Sequence, residues 1–205
     1  VAQAVHAAGR RLLARRRKSY IRRRTQGQMM PPSDIGFEPD PAADPASAAA
    51  RSFRDAMAEI TASVHVITTA GAGGRRGLTA SAVTSLSDRP PTMLVCIHAD
   101  SQTLRLIEAS GMFCVNALSG ADQEIAEVFA GRRGLLGEDR FSVGEWRTLM
   151  TGAPVLASAL VSFDCRLVEA RSVATHKIVL GEVVAQAGPV RRKGLIYRNR
   201  RFGRF

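Results

Sequence analysis

No run in this 205-residue chain approaches the roughly 18 consecutive apolar residues that a membrane-spanning helix needs, which argues against an integral membrane protein. Cysteine is scarce. Cys96, Cys114 and Cys165 are too few, too scattered and too odd in number for a disulfide scaffold or a paired CxxC zinc site, so reduced thiols in a cytoplasmic protein are expected. No phosphate loop of the GxxxxGK[ST] type is present. Gly71-Ala-Gly73-Gly-Arg-Arg-Gly77 comes near the dinucleotide fingerprint GxGxxG, but Arg76 stands where the third glycine belongs, and a β-type segment follows instead of a helix. The four histidines, His6, His65, His98 and His176, stand alone without HExxH spacing, so no metal site is expected. There is no GxSxG elbow either. Hydrolytic and metal-dependent chemistry fall away. What remains is a protein that binds a ligand carrying its own reactivity.

Acidic residues are missing from positions 1–33, which hold nine Arg or Lys. The net charge of +11 therefore shrinks to 20 basic against 18 acidic side chains over the rest. A nucleic-acid footprint should cover a face of the folded domain, and here the charge belongs to a leader. The Arg-rich stretch and the Pro/Ala/Asp linker that follows read as a disordered leader over residues 1–46, and the domain as 47–205. Three readings compete for the leader: an anionic-surface or nucleic-acid binder, a transit-type segment, and a non-functional extension with a natural start near Met29 or Met30. The last is preferred.

Hydrophobic residues at 45% and charged residues at 23% suit a domain with a sizeable core. Ser52 to Asp55 fits a variant capping box, and Phe53, Met57 and Ile60 at helical spacing predict an amphipathic helix over about 50–62. Short β-type runs follow: 64–69 before the glycine turn 71–74, then 78–86, 92–98, 112–118, 160–168, 176–184 and 195–197. Two short helices, about 101–110 and 121–130, lie between them. In 160–168 Phe163, Cys165 and Leu167 alternate with Ser162, Asp164 and Arg166, which predicts a half-buried antiparallel strand. Six or seven strands with two or three short flanking helices predict a mainly β fold closed, or nearly closed, into a barrel. The long loop 131–153 is a candidate lid or dimer contact.

In order and spacing these segments resemble the short-chain flavin reductase family over about residues 51–202. The residues that carry the resemblance are Phe53 to Met57 with Val66 to Thr69, and Gly77 to Ser87 leading into Pro90-Pro91. Ser101-Gln-Thr103, Gly111 to Leu118, Phe129-Ala-Gly131, Asp139-Arg-Phe141 and Gly152 to Leu156 follow, then His176 with Gly181-Glu-Val183 and Leu195-Ile-Tyr197. The resemblance implies a Greek-key split β-barrel that binds FMN or FAD as a homodimer. It also implies hydride transfer from NADH or NADPH and delivery of reduced flavin to a partner monooxygenase.

The resemblance further implies a site. Leu78, Thr79, Ala80, Ser81 and Ala82 would offer backbone groups and small side chains to the isoalloxazine edge. Cys96 and Ile97 would line it with backbone. In the stretch from His98 to Thr103, the residues Ser101, Gln102 and Thr103 would hold ribityl and phosphate groups at a helix N-terminus. Asn116 is a candidate contact whose alternative is a bond to backbone alone, and Phe129 is a contact or core. His176 would position the nicotinamide, although the family's Gly-Asp-His turn reads Ala174-Thr-His176 here, so the acidic neighbour is missing. Arg132 or Arg133 could meet a dinucleotide phosphate, and Tyr197 is expected in the core. No nucleophile or acid–base pair is required, because the cofactor carries the chemistry. Two rivals remain: a non-enzymatic flavin store or electron carrier of the same fold, and a nucleic-acid binder acting through its leader.

Overall fold

The computed structural model describes residues 44–205. The expected leader therefore falls, but for its last three residues, outside the described residues.

The first helix, α1 (Ala48–Ala58), begins earlier than its sequence signals suggest. Ser47, not Ser52, is its cap: the Ser47 hydroxyl accepts from Ala50 N at 3.2 Å, satisfying a donor the first turn leaves free. The helix stops at Ala58, so Ile60 lies beyond it, and none of its residues is buried.

Strands β1 (Ala62–Ser63), β2 (His65–Gly71), β3 (Gly74–Ala80), β4 (Val83–Asp88) and β5 (Pro91–His98) follow, then helix α2 (Gln102–Ser110) and strand β6 (Met112–Ala117). Helix α3 (Gln123–Phe129) and a 3-10 turn (Gly137–Ser142) precede β7 (Trp146–Thr148) and β8 (Pro154–Leu156). The chain ends with β9 (Val161–Val173), β10 (His176–Ala187), β11 (Leu195–Arg198) and β12 (Arg201–Arg204). The run 78–86 is thus two strands broken at Ser81-Ala82. The loop 131–153 is not structureless, since it holds the 3-10 turn and β7.

Seven strands form one antiparallel sheet in the order β3-β2-β6-β9-β10-β5-β4. Its two edges, β3 and β4, are separated in sequence by only Ser81 and Ala82. Three peptide units span at most about 11 Å, so the sheet must curl until its edges meet. They meet without pairing, which makes the barrel split. All seven strands send side chains into one interior cluster, among them Ile67, Leu78, Val83, Val95, Phe113, Cys165 and Val179. Leu104 and Ile107 of α2 join that cluster and close one end.

The outer face carries a second core. Val66, Ile125, Phe129, Phe141 and Leu156 pack there, with Phe129, Phe141 and Trp146 in mutual edge or tilted contact at 5.0–5.4 Å. The ribbon β7–β8 covers the start of β9, so Ser162 and Asp164 of the face expected to be wet are buried and only Arg166 stays exposed. Asp164 there is fully buried and accepts from the backbone N and hydroxyl of Thr151, while Ser162 donates to Asn116. A three-stranded sheet, β1-β11-β12, is tied to the barrel by Val64 N to Leu195 O at 3.1 Å and Leu195 N to Leu118 O at 3.0 Å.

Interior packing leaves no room at Gly181 on β10, where a Cβ would sit 2.3 Å from Phe113 Cζ and 2.9 Å from Cys165 Cβ. Gly181→Ala is expected to lower the unfolding free energy by about 1–3 kcal/mol through overpacking. Adding Phe113→Leu should recover part of that loss, read as a coupling energy in a urea double-mutant cycle.

Candidate functional site

As an edge strand, β3 pairs with β2 on one side only, so alternate backbone groups on its other side are free of the ladder. Two cavities lie along this strand. One, of about 370 Å³, is lined by Arg76, Gly77 and Leu78 together with Ser101, Gln102 and Thr103, and by Leu136, Gly137 and Arg140. The next, of about 190 Å³, is lined by Thr79, Ala80 and Ser81 with Val64, Ala130, Arg132, Tyr197 and Phe202. Consecutive residues of one strand floor both, and the segment 130–140 walls both. Together they make one elongated groove.

One end of the groove favours an anion. Ser101 caps α2, its hydroxyl accepting from Leu104 N at 3.4 Å, and Gly111 closes the helix in the left-handed conformation. First-turn amides of such a helix have no intrahelical acceptor, and the dipole adds positive potential. Two guanidiniums lie beside them. Arg76 Nη1 donates to Arg75 O at 2.8 Å, and Arg140 donates to the carbonyls of Leu135, Gly77 and Phe129. Burial pulls the Arg140 pKa below the ordinary arginine value. Neither arginine forms an ion pair among the described residues: Glu138 pairs with Arg75 at 2.5 Å, and its carboxylate also feels the charge of Arg76. The Arg75 backbone N–H, and then its guanidinium, hold the Glu138 carboxyl below its usual range.

The other end is aromatic. Arg132 donates to the Tyr197 hydroxyl at 3.1 Å and lies 5.7 and 5.5 Å from the ring centres of Tyr197 and Phe202. Tyr197 packs against the outer core, as expected, and also lines the groove. Arg133 turns away, paired with Glu127 at 2.6 Å.

Of the residues expected at the site, Leu78, Thr79, Ala80, Ser81, Ser101, Gln102 and Thr103 come together on this groove. Thr79 is pinned by its hydroxyl donating to Ala126 O at 2.7 Å. Ala82 lies one step further on, in a third cavity with Ser81 and Tyr197. Several expectations need correction. The Cys96 N–H is already bonded to Ala82 O at 3.0 Å and is not free for a ligand; the Ile97 side chain points into the barrel core, which does not bear on the backbone contact expected there. Asn116 is fully buried on the outer face, where its amide donates to Val66 O and accepts from Leu156 N and the Ser162 hydroxyl. It is structural because the protein satisfies its hydrogen bonds. Phe129 is core as well, and it fills the space behind Gly77, where a Cβ would come within 2.6 Å of its ring.

His98 and His176 are register partners at the rim, with rings edge to face at 5.2 Å. Neither lines the groove cavities. Thr175 stands where the acidic neighbour was missed, its hydroxyl 2.9 Å from His176 Nδ1. Sequence reasoning overlooked Arg76, Arg140 and Phe202. The one available signal was the Arg75-Arg76 pair following the glycine turn, since the side of the strand they face is set by tertiary pairing.

Fold and groove together define a split β-barrel protein with a ligand-sized trough along one free strand edge, and comparison with known proteins narrows the class. The flavin reductase like domain model matches residues 57–205, and the chain belongs to that family. It is 46% identical over 150 residues to the FMN reductase (NADH) RutF of Ancylobacter novellus, covering 73% of this chain and 82% of the relative. Among solved structures it is similar to BorF, the flavin reductase component of a bacterial two-component tryptophan halogenase. There the TM-score is 0.70 at 30% identity, covering 76% of this chain and 97% of BorF. The NADH:FAD oxidoreductase SgcE6 of Streptomyces globisporus, solved with NAD and FAD fragments, gives a TM-score of 0.70 at 29% identity, covering 80% of this chain and 95% of SgcE6.

His65 is buried directly opposite Ala80, its Nδ1 without a partner, and burial lowers its pKa. The unfolded chain then binds more protons, so this residue's contribution is complete above the unfolded pKa near 6.5 and is lost as pH falls toward the folded value. The melting temperature is expected to drop between pH 7.5 and pH 5.5, and His65→Gln to flatten that slope in thermal unfolding across the range.

Proposed function

We propose that the groove along β3 takes a flavin nucleotide and that the protein reduces it with NADH or NADPH as donor. The observation that carries this reading is the pairing of two chemistries on one strand. Small residues with a free backbone edge suit a flat heterocycle at one end, and helix amides with two guanidiniums outside any ion pair among the described residues suit a phosphate at the other. The residues present therefore fit the group. Bound flavin supplies a ring nitrogen that accepts hydride from the nicotinamide.

The chain's own part is to bind and to orient. Thr79, Ala80 and Ser81 set the ring's depth against the strand edge. Ser101, Gln102 and Thr103, with Arg76 and Arg140, hold the phosphate end. Arg132, Tyr197 and Phe202 form the far wall, which keeps water from that end of the ring. His176, exposed at the rim and three residues across the ladder from the α2 cap, is the candidate for positioning the nicotinamide.

Reduced flavin passes to a partner oxygenase component, in line with the halogenase system of BorF. The protein works as a homodimer in the cytoplasm, with residues 47–205 as its domain. Exposed Leu86 and Val168 on the sheet support the dimer, the Ser47 cap supports the boundary, and three free cysteines support a reducing compartment.

Aerobic oxidation of NADH and NADPH should be negligible alone and rise to saturation as FMN, FAD or riboflavin is added. Flavin binding without dinucleotide oxidation would instead mark a flavin store or electron carrier. His176→Ala should raise the KM for NADH about tenfold, more than it raises the flavin Kd, read from steady-state rates beside fluorescence titration. Equal shifts in both would remove His176 from the nicotinamide side.

A further inference from the structure

Two imidazoles meet at the rim of the barrel. His98 ends β5 and His176 opens β10, and as register partners they set their rings edge to face with centres 5.2 Å apart. Both are exposed, and an exposed side chain samples several rotamers unless its neighbours hold it. Here a connected set of contacts holds both.

On the His98 side, Asp100 N–H donates to His98 Nδ1 at 3.3 Å, and the Asp100 carboxylate lies 3.8 Å from the same nitrogen. Asp100 is itself fixed from α2, where Arg105 donates to its carbonyl at 3.1 Å. Ala99 N donates to Thr175 O at 3.0 Å, which ties the segment after β5 to the turn before β10. That turn has only two residues, since Val173 pairs with His176. Ala174 takes φ 49°, a left-handed conformation that ordinarily falls to glycine. The turn thus persists against a backbone cost, and it brings the Thr175 hydroxyl within 2.9 Å of His176 Nδ1. None of the hydrogen bonds among the described residues uses His176 Nε2, so that nitrogen faces a guest.

A hydroxyl both donates and accepts, so Thr175 does not anchor the imidazole as a carboxylate in its place would. The plane of the ring is left to its other neighbour, the ring of His98. We propose that His98 is the positioning residue for His176, holding that imidazole in one orientation before the dinucleotide arrives. The inference rests on the reading of His176 as the residue on the nicotinamide side. It deepens that reading by assigning His98 to the dinucleotide and not to the flavin.

The test uses the full chain with FMN in excess. His98→Ala should raise the KM for NADH about fivefold while kcat and the FMN Kd stay within about twofold. His98→Phe keeps an aromatic ring against His176 and should return KM to within about twofold of the unaltered protein. Phe cannot accept from Asp100 N, so a loop merely loosened by loss of His98 would not be rescued. A second readout needs no turnover: the NMR order parameter of the His176 ring should fall in His98→Ala and be retained in His98→Phe. Unchanged KM in His98→Ala, equal rises in the Ala and Phe variants, or a rise in FMN Kd that matches the rise in KM overturns the proposal. If His176→Ala leaves KM unchanged, the reading of His176 falls instead, and the order parameter still decides whether His98 holds the ring.

Discussion

Two residues join the outermost strands of a seven-stranded sheet, and most of what the molecule does descends from that shortage of chain. Ser81 and Ala82 cannot stretch across an open sheet, so β3 and β4 are drawn together and the sheet closes on a core filled from all seven strands. Edges brought close but out of register do not pair. The free flank of β3 becomes a row of peptide groups seeking partners, and an unpaired edge of this kind must be covered or used. Here α2, the segment 130–140 and the β11–β12 hairpin rise around it and leave a trough of nucleotide proportions.

Electrostatics along the trough are set by which arginines are neutralised. Arg75, Arg133, Arg198 and Arg200 each form an ion pair with a carboxylate, whereas the hydrogen bonds of Arg76, Arg105 and Arg140 go to backbone carbonyls. Carbonyls fix the position of a guanidinium without cancelling its charge. The described residues 44–205 carry 20 basic against 15 acidic side chains, and part of that excess is gathered beside the cap of α2.

Much of the fold was legible in the sequence because its signals are local. The glycine turn at 71–74, the β-branched run before it and the cap at Ser101 each act within a few residues, and the strands and helices they announce are present. The failures share another origin. Ser52 resembles a cap, but Ser47 reaches Ala50 N first. Ser162 and Asp164 alternate like a wet face, but β7–β8 folds over them. Asn116 reads as a polar residue awaiting a ligand, and it is consumed by three neighbouring strands. Burial by a distant segment leaves no trace in local periodicity. For the same reason the order of small residues 79–82 was readable while the guanidiniums of Arg76 and Arg140 were not, since those depend on how strand, helix and turn converge.

The slit between β3 and β4 has a bearing on traffic through the protein. Because no ladder hydrogen bond crosses it, a guest can slide in or out while every strand stays zipped to its neighbours. Residence is then governed by what grips the guest, not by the fold's cohesion, and a sturdy barrel is compatible with a passenger that is released on every cycle.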